Sequence, residues 1–346
     1  MNFRLRLLGI GTLGVLALAA CSSGASPSTA PTSEAPVASA SEAASMEASP
    51  TPVEMTSVDF RLNWVIAGNH APYFLAKQEG FWEDCGLDVS LAAGQGSGDT
   101  AQLVANGSQE FGLTDAVSIS AGRVKGLPVK SLGVIYQTNP SAIVSYKDAG
   151  ITQLTDVQGK TWGAVPGGSP YLLLKALFEQ NDITDVREVS VPAPGIAQLK
   201  AGQVDFITFF GNEAANIDPS PDENLNVIPF KDSGQDIYGL AIASSDDYID
   251  SHPDQVRCFV DGVRKGWQAA VDDPQAALDA LYAAAPETAD RPDVMQALLD
   301  GAFEYAGDNL LDQTADKWDE TQTTLADAGI IDGTLDPTEF FTSDYQ

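Results

Sequence analysis

Histidine and cysteine are nearly missing from this chain, which has two histidines and three cysteines in 346 residues. A structural zinc site needs about four such ligands in one place, but His70, His252, Cys21, Cys85 and Cys258 are scattered along the sequence. No metal cluster is expected, and a histidine-based hydrolytic triad has little to draw on. Basic residues are scarce too. Eighteen Lys and Arg against 48 Asp and Glu give a formal charge of −30, the wrong sign for neutralising phosphates, so nucleic acid is excluded as a partner. What is present is ample core material: 44% hydrophobic and 8% aromatic residues support a large core or two medium ones and exclude disorder or a fibrous repeat for the whole chain.

The N-terminus reads as a targeting segment. Arg4 and Arg6 precede the apolar run Leu7–Ala20, which at about 14 residues is too short for a membrane span and fits a signal peptide over 1–20. The run ends Leu18-Ala19-Ala20-Cys21, followed by Ser-Ser-Gly, and resembles the bacterial lipoprotein box, in which the cysteine thiol is acylated before cleavage. An ordinary secretory signal is the plain alternative. Loss of Arg4 and Arg6 takes the net charge from −30 to −32, a surface that repels anionic lipid and leaves anchoring to the acyl chains. Residues 21–56 are then a lipidated tether. Beyond Cys21 they are Ser, Ala, Pro, Thr and Glu-rich with no aromatic residue, Lys or Arg, too poor in apolar area to fold. About 35 such residues reach roughly 30–35 Å. Export places Cys85 and Cys258 in an oxidising setting; spacing alone leaves their disulfide open.

From about residue 57 onward, short β-rich runs alternate with helical patterns. Val58–Trp64, Leu87–Ala93, Phe111–Asp115, Val129–Tyr136, Ala142–Tyr146, Thr161–Val165 and Phe206–Phe210 read as strands. Helices are predicted from Pro72 to a stop at Gly80, from the capping-box-like Asp99-Thr100-Ala101-Gln102 to near Gly107, over Ser169–Gln180 and over Pro194–Ala201. Beyond about 252 the pattern is helical. The alternation predicts an α/β fold with mainly parallel sheets covered by helices on both faces, and the length favours two lobes over one.

In open α/β sheets, ligands sit where strands end and helices begin. Four such turns carry unusual residues. Asn63 and Trp64, with Asn69 and His70 shortly after, bring an aromatic ring, two amides and a histidine to a helix start; Trp64 as core and His70 as a cap is the plain alternative. Gly94-Gln95-Gly96-Ser97-Gly98-Asp99 permits close backbone approach but lacks both the P-loop ending and the dinucleotide spacing, so it is a ligand contact or a tight turn. Gly168, Ser169, Pro170 and Tyr171 offer free N–H groups and an aromatic at a helix start, with simple capping the alternative. Asn212 and Glu213 follow the apolar strand ending Phe209-Phe210-Gly211, Glu213 being a site carboxylate or a solvated helix-start residue.

Leu62-Asn63-Trp64, Asn69-His70, the segment Phe74–Trp82 and Gly86-Leu87-Asp88-Val89 resemble the opening of the substrate-binding proteins of nitrate/sulfonate/taurine and thiamine-pyrimidine ABC importers. Phe111–Ala116, which includes Asp115, and Leu199–Asp205 are similar to later landmarks of that family. The resemblance implies a two-lobed periplasmic-binding-protein fold of type II. Lobe one would span 57–142 with a return and C-terminal helices over 240–346, lobe two 143–239, with the ligand between them.

Asn-Trp followed by Asn-His resembles the pyrimidine-binding and riboflavin-binding branches more than the sulfonate binders. It implies that Trp64 stacks on a flat ring and that Glu213 accepts from an exocyclic amino group. Tyr73, Tyr136, Tyr171 and Tyr238 join as candidates to line the cleft. Trp64 and the Gly96, Ser97, Gly98 turn would serve one lobe, and Ser169, Tyr171 and Glu213 the other. Val65-Ile66-Ala67-Gly68 departs from the proline and polar residues usual in pyrimidine binders, so sulfonate, taurine, nitrate and riboflavin stay as alternatives.

The same family includes a pyrimidine synthase that needs a lysine for pyridoxal phosphate, a nearby histidine and a cysteine cluster. The matching positions here are Thr114, Ser118 and Tyr238-Gly239-Leu240-Ala241, so the expectation is a binding protein with no catalytic residue, cofactor or metal. Its partners would be a small molecule, the permease with its ATPase, and the membrane through the lipid alone. It would be a monomer on the extracytoplasmic face.

Overall fold

A computed structural model describes residues 55–166 and 168–345; the expected signal peptide, the lipidated Cys21 and the tether up to residue 54 lie outside the described residues. Among the described residues, no helix is long and apolar enough to cross a membrane. The described residues form ten strands in two five-stranded sheets. In chain order they are β1 (Thr56–Arg61), β2 (Leu87–Ala92), β3 (Phe111–Asp115), β4 (Val129–Val134), β5 (Ser141–Tyr146), β6 (Thr161–Ala164), β7 (Arg187–Ser190), β8 (Phe206–Phe210), β9 (Leu225–Pro229) and β10 (Leu240–Ser245).

The two sheets share one plan. The first runs β2-β1-β3-β10-β4 and the second β7-β6-β8-β5-β9. In each, the fourth strand is antiparallel to both neighbours, while the remaining pairings are parallel. That strand is the first one formed after the chain crosses from the other lobe: β5 after the first crossing, β10 after the second. The mainly parallel expectation therefore needs this correction. The crossings lie side by side, with Asn139 N–H donating to Ile237 O at 2.7 Å and Gly239 N–H to Tyr136 O at 2.9 Å, a two-stranded hinge between the lobes.

Burial explains which strands were visible beforehand. β1 alternates, with Val58 and Phe60 buried between exposed Ser57 and Asp59, the period-two signature. β10 (Leu-Ala-Ile-Ala-Ser-Ser) is buried at every position, and its small residues give no periodicity. β7 (Arg-Glu-Val-Ser) and β9 (Leu-Asn-Val-Ile-Pro) are short edge strands with hardly a buried residue. These three were missing from the sequence reading. The Gly-rich helix starts at Ser97 with Gly96 as its cap, two residues before the capping box read at Asp99.

The first lobe's core centres on Phe60, whose ring meets Tyr73 at 5.2 Å and Phe259 at 5.0 Å edge-on. Phe259 belongs to the helix Pro253–Asp272, so the C-terminal helices close the core opened by β1. Cys85 and Cys258 are disulfide-bonded across 173 residues of sequence, with Cα atoms 5.9 Å apart. The second lobe buries Trp162, Phe178 and Phe206 around its own sheet. The helix Pro292–Ala306 packs on the turn Gly68–His70 of the first lobe and on the turn Gly211–Asn216 of the second.

Candidate functional site

The first lobe positions its cleft residues by stitching two loops together. Beyond β1, Leu62 N–H donates to Ala92 O, Gly94 N–H to Trp64 O and Gly96 N–H to Asn63 O, all at 2.9 Å. The approach is so close that a Cβ on Gly94 would lie 1.9 Å from Leu62 O, which is why glycine is required there. Asn63 and Trp64 are thus held against the turn carrying Gly96, Ser97 and Gly98. All five line a cavity of about 560 Å³ between the lobes, with Asp115 on the same side and Gly168, Ser169, Tyr171 and Glu213 opposite.

Three helices begin at this cavity: Ser97–Ala105 capped by Gly96, Ala116–Val124 capped by Asp115, and Ser169–Gln180 capped by Gly168. Their N–H groups are donors aimed at the cleft. Asp115 satisfies its own helix, Oδ1 accepting from Ser118 N–H at 2.7 Å. Its Oδ2 accepts from Ser169 Oγ of the other lobe at 2.7 Å. Neither is merely a local cap: together they bridge the lobes. Carboxylates of Asp99, Asp115 and Glu213 line the cavity, and among the described residues no Lys or Arg does.

A second bridge runs through the turn Gly68–His70. Asn69 Nδ2 donates to Glu213 Oε1 at 3.1 Å, with both residues buried. Burial raises the Glu213 carboxyl to about 7. His70 is 1% exposed, and burial lowers its imidazole to about 3. Its Nδ1 accepts from Ala67 N–H at 3.2 Å and its Nε2 lies 2.9 Å from Asn63 Oδ1. Asn69 and His70 line a second cavity of about 390 Å³, which shares Trp64, Phe209, Pro194 and Glu213 with the first.

Several candidates lie elsewhere. Tyr73 is packed between Phe60 and Trp267 in the first core. Tyr238 turns to the C-terminal side, its hydroxyl accepting from Thr314 N–H at 3.1 Å and its ring tilted on Trp318. Tyr136 packs on Tyr305, its hydroxyl beside Asn69, Asn212 and Glu213 but behind the cavity wall; burial first, then Glu213, pushes it well above the usual tyrosine range. Asn212 lines neither cavity, because its backbone is pressed against Gly301. Tyr171 does reach the cavity, its ring stacked on Trp162 and its hydroxyl donating to Glu188 at 3.0 Å.

Lining residues absent from the sequence reading include Phe209, Phe210, Gln102, Ala193 and Pro194. The two phenylalanines stood in the fourth turn and were passed over for its polar residues. Ala193 and Pro194 follow β7; the helix expected over Pro194–Ala201 runs Ile196–Lys200, and with the strand before it unread the turn was not recognised as a strand-to-helix turn.

A cleft between two lobes of matching strand order defines a periplasmic-binding-protein fold. The chain belongs to the NMT1/THI5-like family, whose model matches residues 67–277. Among similar solved structures, the alkanesulfonate-binding protein SsuA from Xanthomonas axonopodis, bound to MOPS, aligns with TM-score 0.65 at 14% identity, over 84% of this chain and 99% of that one. The desulfurization enzyme DSZB aligns with TM-score 0.55 at 14% identity, over 83% of this chain and 97% of its own. At such identity the likeness is one of fold, and function rests on the site.

Two relatives match over most of their length. The 4-amino-5-hydroxymethyl-2-methylpyrimidine phosphate synthase of Uromyces fabae is 24% identical over 288 residues, covering 78% of this chain and 82% of that protein. The riboflavin-binding protein RibY of Chloroflexus aurantiacus is 26% identical over 311 residues, covering 84% and 86%. The match to a synthase of the same name from Legionella pneumophila is 28% identical over 108 residues, 31% of this chain and 34% of that one.

Proposed function

We propose that this chain is an extracytoplasmic solute-binding lipoprotein of an ABC importer and that its ligand is a small flat heterocycle, an aminopyrimidine before all others. The observation that carries this reading is the pairing of the half-buried Trp64 ring with the buried Glu213 carboxyl in a cavity lined by no Lys or Arg. Ring stacking contributes about 0.5–1.5 kcal/mol beyond burial. A charge-assisted hydrogen bond from an amino group to Glu213 contributes about 1.5–3 kcal/mol. Ligand contacts from both lobes favour the closed form, which docks on the permease. For a sulfonate or nitrate, Asp99 and Asp115, joined by Glu213 above about pH 7, repel what the helix N-termini attract, and Arg291 lies in the neighbouring cavity, not in this one.

Riboflavin is the second reading, favoured by the relative RibY and by the neighbouring cavity that shares Trp64. Synthase chemistry is disfavoured by the residues themselves. Thr114 is buried with its hydroxyl donating to Ser97 O at 2.8 Å, and no lysine lines either cavity, so an amine for a Schiff base is lacking.

The test is calorimetric titration with 4-amino-5-hydroxymethyl-2-methylpyrimidine, riboflavin and taurine. Glu213→Gln is expected to weaken pyrimidine binding roughly 10- to 100-fold and Trp64→Ala at least as much. Riboflavin would depend on Trp64 and less on Glu213. Tight taurine binding indifferent to Trp64 would remove the aromatic-ligand reading. Lipid anchoring, proposed from the Leu-Ala-Ala-Cys ending, is checked by palmitate labelling of the full chain, which Cys21→Ser should abolish; equal labelling of both forms would refute it.

A further inference from the structure

The turn Gly68–His70 touches both polar poles of the cavity, and its hydrogen bonds fix which way each one faces. A backbone N–H can only donate, so the Ala67 N–H at 3.2 Å makes His70 Nδ1 an acceptor. A neutral imidazole with that acceptor carries its proton on Nε2. Nε2 is then a donor, and the Asn63 atom 2.9 Å away must be the amide oxygen. The amide nitrogen of Asn63 is left over. Among the described residues it has no protein partner, it is not sealed in the core, and the residue lines the first cavity. On the other side, Asn69 Nδ2 occupies Glu213 Oε1 and leaves Oε2 for a ligand.

We propose that His70 is a positioning residue whose fixed tautomer holds Asn63 as an obligate donor at the cavity wall, so that the site selects ligands presenting an acceptor to Asn63 and a donor to Glu213. This rests on the cleft being the binding site for a flat ligand, as set out above, and adds what that ligand must offer. A ring nitrogen next to a carbon bearing an amino group meets both demands. A carbocycle with the amino group alone meets one and leaves the Asn63 donor unpaired when the cleft closes, an unfavourable outcome for a desolvated polar group.

Two measurements decide it. In nitrogen-proton correlation spectra of the folded protein, with the His252→Gln variant assigning the only other imidazole, His70 should stay neutral with its proton on Nε2 from pH 5 to 8. An imidazolium or an Nδ1–H tautomer overturns the relay. In titrations, the parent should bind 4-amino-2,5-dimethylpyrimidine at least about 30-fold more tightly than 2,5-dimethylaniline, which keeps the ring and the amino group but not the ring nitrogens. Asn63→Ala and His70→Leu should shrink that ratio to about 3-fold, while His70→Gln, which keeps a side-chain N–H donor, should restore it. A ratio unchanged in Asn63→Ala and His70→Leu overturns the proposal, since a merely structural histidine would weaken both probes alike. Binding of neither probe by the parent would sink the heterocycle reading, while the imidazole spectrum still decides the relay.

Discussion

Glu213 and His70 face the same burial with opposite consequences for stability. Glu213 moves up from 4.5 to about 7, so between those values the folded state keeps a proton that the unfolded state releases, and stability falls as pH rises. His70 moves down from 6.5 to about 3. Below 6.5 the unfolded state gains a proton that the folded state refuses, and stability falls as pH drops. Each slope is about 1.4 kcal/mol per pH unit, so the two offset one another between 4.5 and 6.5. Melting of the ligand-free protein across pH 4–8 should therefore separate the variants. Glu213→Gln should gain on the parent as pH rises, by about 3 kcal/mol at pH 8. His70→Gln should lose less than the parent below pH 6.5. Parallel curves for all three would show that neither group titrates as its burial dictates. Glu213 was legible in the sequence because it follows an apolar strand; its bond to Asn69 was not, since the two stand 144 positions apart and meet only in the folded chain.

The turn Gly211–Asn216 and the helix Pro292–Ala306 meet at Gly301, where a Cβ would fall 2.6 Å from Asn212 O. One element belongs to the second lobe and the other to the first, so bulk there acts on the relation between lobes. Gly301→Val should push the turn away, with overpacking of this kind costing about 1–3 kcal/mol, and lengthen the Asn69–Glu213 contact. Small-angle scattering should show a larger radius of gyration, with weaker ligand binding; an unchanged radius and affinity would mean that the helix end absorbs the strain. Such element contacts explain where sequence reading stopped. β1 showed its period, though the strand read as Val58–Trp64 runs Thr56–Arg61 and Leu62–Trp64 belong to the cleft loop, and the helix read over Ser169–Gln180 has those bounds. β10, buried on both sides with small residues, and the edge strands β7 and β9 carry no such pattern. The tyrosines that do not reach the cleft share a related cause: Tyr73 has the right residue type but faces the first core from its helix, and Tyr238, in the crossing before β10, turns to the C-terminal side, a direction decided by packing.

For the whole molecule, strand-helix alternation and the family resemblance carried the fold class, and the sign of the chain recurs in the first cavity, where Asp99, Asp115 and Glu213 meet no described Lys or Arg, while Arg291 lines the neighbouring cavity with Glu213. The disulfide adds a covalent consequence. Cys85 and Cys258 belong to the first lobe, and the entire second lobe, from β5 through β9, lies on the stretch between them. The backbone from 85 to 258 is therefore a closed ring. A single proteolytic cut within that ring opens it but frees no fragment, so a nicked second lobe stays joined on both sides to the lobe that carries β1 and the C-terminal helices. Only a second cut, or reduction of the sulfur bridge, lets a piece diffuse away.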